Sequence, residues 1–281
     1  VLDEQWQRRS GQKVPDTDDV ALKNEAVELD ATVLYADLAG STKMVKGYKD
    51  WFAAEIYKTY LYCAAKIIRA NGGVITAYDG DRVMGVFLGD TKNSSAAKTG
   101  LQINWACRQI IGASVKAKYP DTDFSLRQRV GIDTSKLFVA RTGIRGSNDL
   151  VWVGNAANNA AKMAALDPSY PTYITGDVYS MLLEWAKLGG EEAGGPGGAA
   201  QLVPVQVDGL GHGSRLSSTA VSCALRMRCW ILPVAVRGIW LSVTKTTERG
   251  RLKPAMRSRH QSSSSCSSGW WPGRGTITAF T

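Results

Sequence analysis

Short apolar runs alternate with long amphipathic segments between residues 30 and 187, and few folds accommodate their order. A β-type run at about 31–37 precedes residues 43–70, in which apolar residues recur every three or four positions, as on the buried face of a helix. Two short β-type runs, 74–78 and 83–88, flank a tight turn and predict a hairpin.

The remaining segments extend this pattern. They predict a helix at about 94–118, strands at 127–133, 137–141 and 149–153, a helix at 155–166, a strand near 172–175 and a helix at 177–186. This order predicts an α+β domain in which helices flank a mainly antiparallel sheet. We assign residues 30–187 to this domain, residues 1–29 to a polar leader that packs lightly, and residues 188–281 to a Gly-rich linker and a basic, mostly irregular low-complexity tail.

The positive charge of the chain is concentrated outside the predicted domain. The formal net charge is +9, but residues 1–189 hold 23 basic and 21 acidic residues, so the remaining residues carry most of the excess. An excess of Lys and Arg in a low-complexity segment does not provide the shaped groove that specific binding of nucleic acid requires. We therefore predict no binding to nucleic acid.

The positions of His and Cys exclude several enzyme classes. Both histidines, His212 and His260, lie in the tail, which argues against Ser-His-Asp or Cys-His hydrolysis and against the common zinc sites. Cys63 and Cys107 are isolated within apolar helical patterns, which indicates small core residues with reduced thiols. No stretch is long enough for a membrane span and residues 1–6 lack a signal-peptide pattern, so we expect a cytoplasmic protein that does not bind a membrane.

Two carboxylates in matching settings indicate a metal site. Asp37 directly follows the apolar run of the first predicted strand, and Asp81 lies in the turn of the predicted hairpin. Burial of either carboxylate costs free energy unless a cation binds to it. The pair therefore predicts a shared site for divalent metal ions. The alternative for Asp37 is a helix cap at the Ser41 turn, but capping needs no second carboxylate from a hairpin tip.

Four ordered segments, 35–42, 72–87, 130–134 and 153–162, carry a resemblance to a known family. Over about residues 30–186, the chain resembles the catalytic domain of the class III nucleotidyl cyclases. This resemblance implies the ferredoxin-like class III cyclase fold. It also implies that the ribose 3′-hydroxyl of a nucleoside triphosphate attacks the α-phosphate and expels diphosphate, with two divalent cations, Mn²⁺ or Mg²⁺, as cofactors.

The same resemblance implies which residues bind metal and phosphate. Asp37 and Asp81 would hold both ions, and the carbonyl of Leu38 would add a further ligand. Backbone N–H groups at the electropositive start of the following helix would hold phosphate oxygens. The residues that supply these groups are Ala39, Gly40, Ser41 and Thr42.

A helix would present Asn158 and Lys162 on one face, because they lie four positions apart. In the cyclases that this chain resembles, an Asn here orients the ribose and an Arg four residues later stabilises charge at the α-phosphate. Lys162 replaces that Arg and lacks its bidentate fork, so its stabilisation is weaker or differently directed. The alternative is a solvated Lys on an Ala-rich helix. The family also assembles head to tail, which implies a homodimer with composite active sites.

The expected base pocket lacks the polar residues of purine cyclases. Ala77 and, in the simplest alignment, Val151 occupy the positions of their base-contacting side chains. Tyr78 and Trp152 lie beside them and would either narrow the pocket for a smaller base or belong to the core. In these features, and in the leader residues 11–16 and the stretch 27–37, the chain is similar to the bacterial pyrimidine cyclases of the Pycsar antiphage system. Those enzymes make cyclic UMP or cyclic CMP to activate a separate effector. We predict a pyrimidine nucleoside triphosphate as substrate, with UTP favoured over CTP.

Three other interpretations stay open. One is an adenylate cyclase with an atypical base pocket. Another is a diguanylate-cyclase-like enzyme, although the turn at 79–82 does not match the Gly-Gly-Asp/Glu-Glu-Phe hairpin of that family. The third is a non-catalytic module that binds nucleotide or a partner, which the retention of both carboxylates disfavours. The C-terminal strand pair of the cyclases has no clear counterpart in the tail.

Overall fold

The computed structural model describes residues 2–166, residues 170–187 and the segment Thr219–Ala220, so most of the predicted tail lies outside the described residues. The strands are β1 (Gln7–Ser10), β2 (Glu25–Leu38), β3 (Val74–Asp79), β4 (Arg82–Phe87), β5 (Gln128–Ile144), β6 (Ser147–Val153), β7 (Thr172–Ile174) and β8 (Thr219–Ala220). The helices are α1 (Ser41–Gly47), α2 (Asp50–Ala70), α3 (Lys92–Ala106), α4 (Gly112–Lys118), α5 (Asn155–Ala164), α6 (Gly176–Ser180) and α7 (Glu184–Lys187). A π-helical turn, Cys107–Ile111, joins α3 to α4. Within the described ranges, no helix has both the length and the apolar character needed to cross a membrane.

The sheet is built around β2, in the order β3-β4-β2-β5-β7-β8. β2 pairs antiparallel with β4 on one side and with β5 on the other. β6 folds back antiparallel on β5, while the β1–β2 and β5–β7 pairs are parallel. A mainly antiparallel sheet with flanking helices confirms the predicted α+β class.

β2 is buried on both faces because its side chains alternate between two apolar clusters. Leu34, Ala36 and Leu38 belong to the cluster that includes residues of α2 and α3. Val33 belongs to the opposite cluster, which residues of α5 complete. By this alternation, the side chain of Asp37 lies on the α5 side of the sheet. Its neighbours in the chain, Ala36 and Leu38, point to the opposite side and pack in the cluster with α2 and α3.

α5 packs closely on the sheet because small residues meet at their interface. Ala156, Ala157 and Ala160 are buried on its inner face. A Cβ atom on Gly131 of β5 would collide with the carbonyl oxygen of Ala160 and would lie 2.8 Å from the backbone nitrogen of Ala164. The absence of a side chain at Gly131 therefore allows α5 to lie this close to β5.

The prediction of one continuous helix at 43–70 is wrong. The segment forms two helices, α1 and α2, because the chain leaves the helical conformation at Tyr48. The Tyr48 ring stacks on Phe52, with ring centroids 5.0 Å apart, and meets Phe124 edge-on at 5.6 Å. These tertiary aromatic contacts accompany the division of the segment into α1 and α2.

Two further differences change the number of elements. The strands predicted at 127–133 and 137–141 form one strand, β5, because residues 134–136 continue the antiparallel pairing with residues 30–32 of β2. The helix predicted at 177–186 is divided into α6 and α7.

The polar leader contains a strand that the sequence pattern did not reveal. β1 pairs in parallel with the start of β2, and Arg8 and Arg9 form ion pairs at 3.4 Å with Glu28 and Glu25. All four side chains of β1 are exposed, so the strand carries no apolar alternation. Its position is set by backbone pairing and surface charge.

Candidate active site

The end of β2 and the β3–β4 turn bring the two predicted metal ligands together. Asp37 is the register partner of Arg82, and Asp81 directly precedes that arginine. Gly80 adopts a φ of 60°, a conformation that residues with side chains rarely adopt, and it allows the chain to reverse. Both carboxylates therefore lie at one end of the sheet.

The two carboxylates influence each other in a partly buried setting. Burial, followed by the negative charge of Asp81, raises the pKa of Asp37 to about 6, while the guanidinium groups of Arg129 and Arg82 oppose the shift. The Oδ2 atom of Asp81 is buried and has no hydrogen-bond partner among the described residues. An orphaned acceptor beside a second carboxylate suits a site that receives a cation.

The available donors fit hard divalent cations such as Mg²⁺ and Mn²⁺, which prefer oxygen ligands. Over residues 2–166 and 170–187, no group of three or more His, Cys, Asp and Glu side chains could hold a metal ion. Asp37 and Asp81 would therefore need further oxygens, from the carbonyl of Leu38 and from a bound triphosphate. The metal role of these three residues stays a prediction.

Arg129 is a site residue that the sequence analysis did not identify. It is the register partner of Asp37 on β5, and its Nη2 donates to Asp37 Oδ2 at 3.1 Å, with both side chains less than a fifth exposed. Its Nη1 donates to the carbonyl of Leu166, and its Nε is buried without an acceptor among the described residues. The sequence offers one indication of such a role for Arg129, which is its position two residues before Gly131 in the segment 130–134.

The turn after β2 leads directly into α1. Gly40 has a φ of 80°, and its carbonyl accepts the first helical hydrogen bond, from the N–H of Met44 at 3.0 Å. The N–H groups of Ser41 and Thr42 therefore have no carbonyl partner within the helix. The N–H of Ala39 already donates to a backbone carbonyl of the segment before β5, at 2.9 Å. We restrict the proposed phosphate contacts to the amides of Gly40, Ser41 and Thr42.

Asn158 and Lys162 lie on the exposed face of α5. Among the described residues, no hydrogen bond or ion pair joins either side chain to Asp37 or Asp81. The predicted pair thus shares one helix face, as expected, but does not meet the carboxylates within one chain.

Asp133 fixes the helix that carries this pair. Its side chain is buried and accepts hydrogen bonds from Asn159 Nδ2 at 2.9 Å and from Thr175 Oγ1 at 2.6 Å. These bonds connect β5 with α5 and with the residue that caps α6. Asp133, part of the segment 130–134, therefore helps to fix the helix on which Asn158 and Lys162 lie.

The four predicted base-pocket residues do not share one surface. Ala77 and Trp152 are partly buried and pack against the same apolar cluster. Tyr78 is 57% exposed and Val151 is 40% exposed, because strand alternation directs them away from that cluster. The structure therefore does not bring the four residues together. Ala77 lies level with Tyr35 of β2 and Trp152 lies level with Val27, on opposite sides of that strand and eight positions apart along it.

Comparison with known proteins identifies the family. A protein named uridylate cyclase from Xanthomonas perforans is 57% identical over 188 residues, which cover 66% of this chain and 81% of the relative. The chain belongs to the uridylate cyclase family. Two further proteins named uridylate cyclase support the assignment. The protein from Burkholderia cepacia is 55% identical over 65% of this chain and 80% of the relative. The protein from Rhodovulum sp. strain MB263 is 44% identical over 64% of this chain and 76% of the relative. A scan against models of protein families gives no match.

Solved class III cyclases share the fold of this uridylate cyclase family member. The adenylyl cyclase CyaB from P. aeruginosa is 22% identical, with a TM-score of 0.50 over 56% of this chain and 82% of the other. The guanylyl cyclase Cya2 is 18% identical, with a TM-score of 0.53 over 68% and 89%. At these identities the likeness concerns the fold alone, and it confirms the predicted class III cyclase fold.

Proposed function

We propose that this uridylate cyclase family member converts UTP to 3′,5′-cyclic UMP and diphosphate. In the reaction, a bond forms between the ribose O3′ and the α-phosphorus, the bond from that phosphorus to the diphosphate breaks, and the 3′-hydroxyl loses its proton. The pairing of Asp37 with Asp81 carries the proposal, because two partly buried carboxylates with an orphaned oxygen suit cation-assisted phosphoryl transfer.

Two divalent cations, Mn²⁺ or Mg²⁺, would be held by Asp37, Asp81 and the carbonyl of Leu38. When bound, such ions lower the pKa of an attacking hydroxyl and neutralise triphosphate charge. Arg129 supports the proposal because its Nε has no acceptor among the described residues, which leaves a donor for a phosphate oxygen. The amides of residues 40–42 would hold further phosphate oxygens.

We also propose a head-to-tail homodimer. Asn158 and Lys162 of the partner subunit would complete each site, with the amide orienting the ribose and the ammonium offsetting charge at the α-phosphate. Support comes from the exposed face of α5, where neither side chain is bonded to the carboxylates of its own chain.

The proposed biological role is antiviral defence. Cyclic UMP would act in the cytoplasm as a signal that activates a separate effector, as the resemblance to the Pycsar pyrimidine cyclases implies. The free thiols of Cys63 and Cys107 are compatible with a reducing compartment.

The test is to incubate the purified full chain with Mn²⁺ and each of ATP, GTP, CTP and UTP in separate reactions, and to identify the products by mass spectrometry. We expect cyclic UMP from the wild type and none from Asp37→Ala. Asp30→Asn is the matched control on the same strand, because the Asp30 side chain is 67% exposed and the amide oxygen of Asn can still accept from Lys92, whose side chain is largely buried. A cyclic purine product would support the adenylate or guanylate alternative, and no product from any nucleotide would contradict the proposed function.

A further inference from the structure

A cavity of about 360 Å³ lies between the π-helical turn, the segment before β5 and Pro171. Small-molecule sites commonly have volumes of roughly 300–1000 Å³. Gln128 lines the cavity and is the register partner of Leu38, whereas Asp37 pairs with the next residue of β5. Because neighbouring residues of a strand point to opposite faces, the cavity lies across the sheet from the candidate active site.

The polar lining of this cavity is incompletely paired. Gln128 is only 4% exposed, and its Nε2 donates to the carbonyl of Pro171 at 3.2 Å. Its Oε1 is also buried, but no donor among the described residues reaches it. Asn104, a second buried amide side chain, also lines the cavity. A buried acceptor without a donor is costly, and a bound hydroxyl or amino group would satisfy it.

The charge of the lining is positive. Arg108 and Arg127 line the cavity, and none of the described lining residues is acidic. Neither arginine forms an ion pair within residues 2–166 and 170–187. Two unpaired guanidinium groups beside one cavity favour an anionic ligand, since they offer bidentate donors to a phosphate or carboxylate.

The cavity wall includes an irregular helical turn. The N–H of Gly112 donates to the carbonyl of Cys107, which closes the wider π-helical turn. Such turns are frequent at functional sites. Cys107 and Gly112 both line the cavity, so the irregular turn coincides with the incompletely paired polar groups.

Residues 127–129 connect the cavity to the candidate active site. The carbonyl of Arg127 accepts the N–H of Ala39 at 2.9 Å, at the start of the turn that leads into α1. Two positions later, Arg129 donates to Asp37 at 3.1 Å. A ligand that shifts this short segment would therefore shift groups that contact the metal-ligand strand directly.

We propose that this cavity is a regulatory site for a small organic anion that carries a hydroxyl or amino donor, such as a phosphorylated sugar. The anion pairs with Arg108 and Arg127, and the donor binds Gln128 Oε1. Occupancy displaces residues 127–129 and changes the rate of the cyclase. Only this last statement rests on the proposed function, because binding is independent of catalysis.

Binding is tested by isothermal titration calorimetry of the full chain with ribose 5-phosphate. We expect Gln128→Met and Arg108→Gln each to weaken binding about tenfold, because each variant removes one hydrogen-bonding or charged partner. Arg8→Gln, a control at an exposed arginine of β1, should keep the wild-type affinity. Asp37→Ala should still bind the anion, with a smaller change in affinity than the cavity variants, because residues 127–129 couple the two sites. Inorganic phosphate, which lacks the sugar hydroxyls, should bind more weakly.

Three results of the calorimetry would overturn the proposal: no binding to the wild type, equal affinity in the wild type and both cavity variants, or loss of binding in Asp37→Ala. Arg108 is exposed, so Arg108→Gln tests the site even if Gln128→Met is poorly folded.

Regulation is tested by measuring cyclic UMP formation with and without ribose 5-phosphate. We expect a changed rate in the wild type, and we expect Arg108→Gln to need about tenfold more ribose 5-phosphate for the same change. Binding without any change in rate would overturn the regulatory role. If the proposed function itself fails, UTP yields no cyclic UMP, whereas the calorimetry still reports whether the cavity binds the anion.

Discussion

Arg129 donates to Asp37 Oδ2 at 3.1 Å from the neighbouring strand, so a fixed cation partly neutralises this carboxylate in the protein alone. Since the Nε of Arg129 has no acceptor among the described residues, the guanidinium also retains a donor for phosphate. We expect Arg129→Gln to lower kcat/KM for UTP about 100-fold, the usual effect of removing one preorganised donor to developing charge. Steady-state kinetics with Mn²⁺ measure this loss.

Arg129→Lys separates charge from geometry in the same assay. An ammonium keeps the positive charge but lacks the planar fork, so we expect only partial recovery of kcat/KM. Arg69→Gln, at an exposed arginine near the end of α2, is the matched control and should keep wild-type kinetics. Wild-type kinetics in Arg129→Gln would remove Arg129 from the proposed site.

The metal-free protein should lose stability as the pH rises from about 4 to about 6. The pKa of Asp37 is about 6 in the folded protein against an ordinary value of 3.8, so the folded state holds the proton more tightly than the unfolded state. The protonated Asp37 side chain contributes its full stabilisation of the folded state below the pKa of the unfolded chain. This contribution is lost as the pH rises through the pKa of Asp37 in the folded protein. We expect a decrease of about 1–2 kcal/mol, because solvent screens part of the effect.

Urea unfolding with a chelator across this pH range measures that decrease. Asp37→Asn has no titrating group at this position, so its stability should fall less than that of the wild type over the same window. Identical pH profiles for the two proteins would contradict the assignment to Asp37.

Gly131→Ala should destabilise the protein by about 3 kcal/mol, because the added methyl group would overlap the backbone of α5. Gly47→Ala is the control, since nothing lies within 4 Å of a Cβ atom at this helical position. That substitution should leave stability unchanged or raise it slightly. Chemical denaturation of both variants gives the comparison, and similar stabilities would contradict the close contact between β5 and α5.

Asp133→Ala should lower the free energy of unfolding by about 2–4 kcal/mol, because it leaves the hydrogen-bonding groups of Asn159 and Thr175 without their buried acceptor. Cyclase activity should fall as well, since these bonds position α5. The measurements are thermal unfolding and product formation, with Asp121→Ala, at an exposed position, as the control. A full loss of activity with unchanged stability would instead indicate a direct catalytic role for Asp133.

Mixing two inactive variants tests the composite active site. In a head-to-tail dimer, Asp37→Ala and Lys162→Ala protomers would form one doubly damaged site and one intact site. Random mixing of equal amounts should therefore restore about a quarter of wild-type activity. The assay is cyclic UMP formation after the variants are mixed, with each variant alone as the control. No recovery, despite exchange of subunits, would place all the catalytic residues in one chain.

The carboxylates could be predicted from the sequence because their own local settings reveal them. Asp37 follows an apolar run and Asp81 follows a turn glycine, so each position is defined by its neighbours in the chain. Arg129 could not be found in this way. Its partner lies 92 positions away, and the register between β2 and β5 cannot be inferred from the pattern of either strand alone.

The break between α1 and α2 was missed for a similar reason. Helical periodicity continues through Tyr48, but the contacts of its ring with Phe52 and Phe124 depend on tertiary packing. β1 was missed because its side chains are all exposed and only its backbone pairing defines it. Local patterns therefore predicted the type of most elements, whereas packing between distant residues decided the boundaries.

The alternation along β2 links the folding of the core to the geometry of the candidate site. Ala36 and Leu38 are almost completely buried on either side of Asp37 in the chain, so the backbone of this carboxylate is fixed as soon as the core has formed. Packing of the central strand therefore also places the backbone of Asp37, the proposed metal ligand. If the proposed function holds, the backbone that carries this carboxylate is already in place before nucleotide binds.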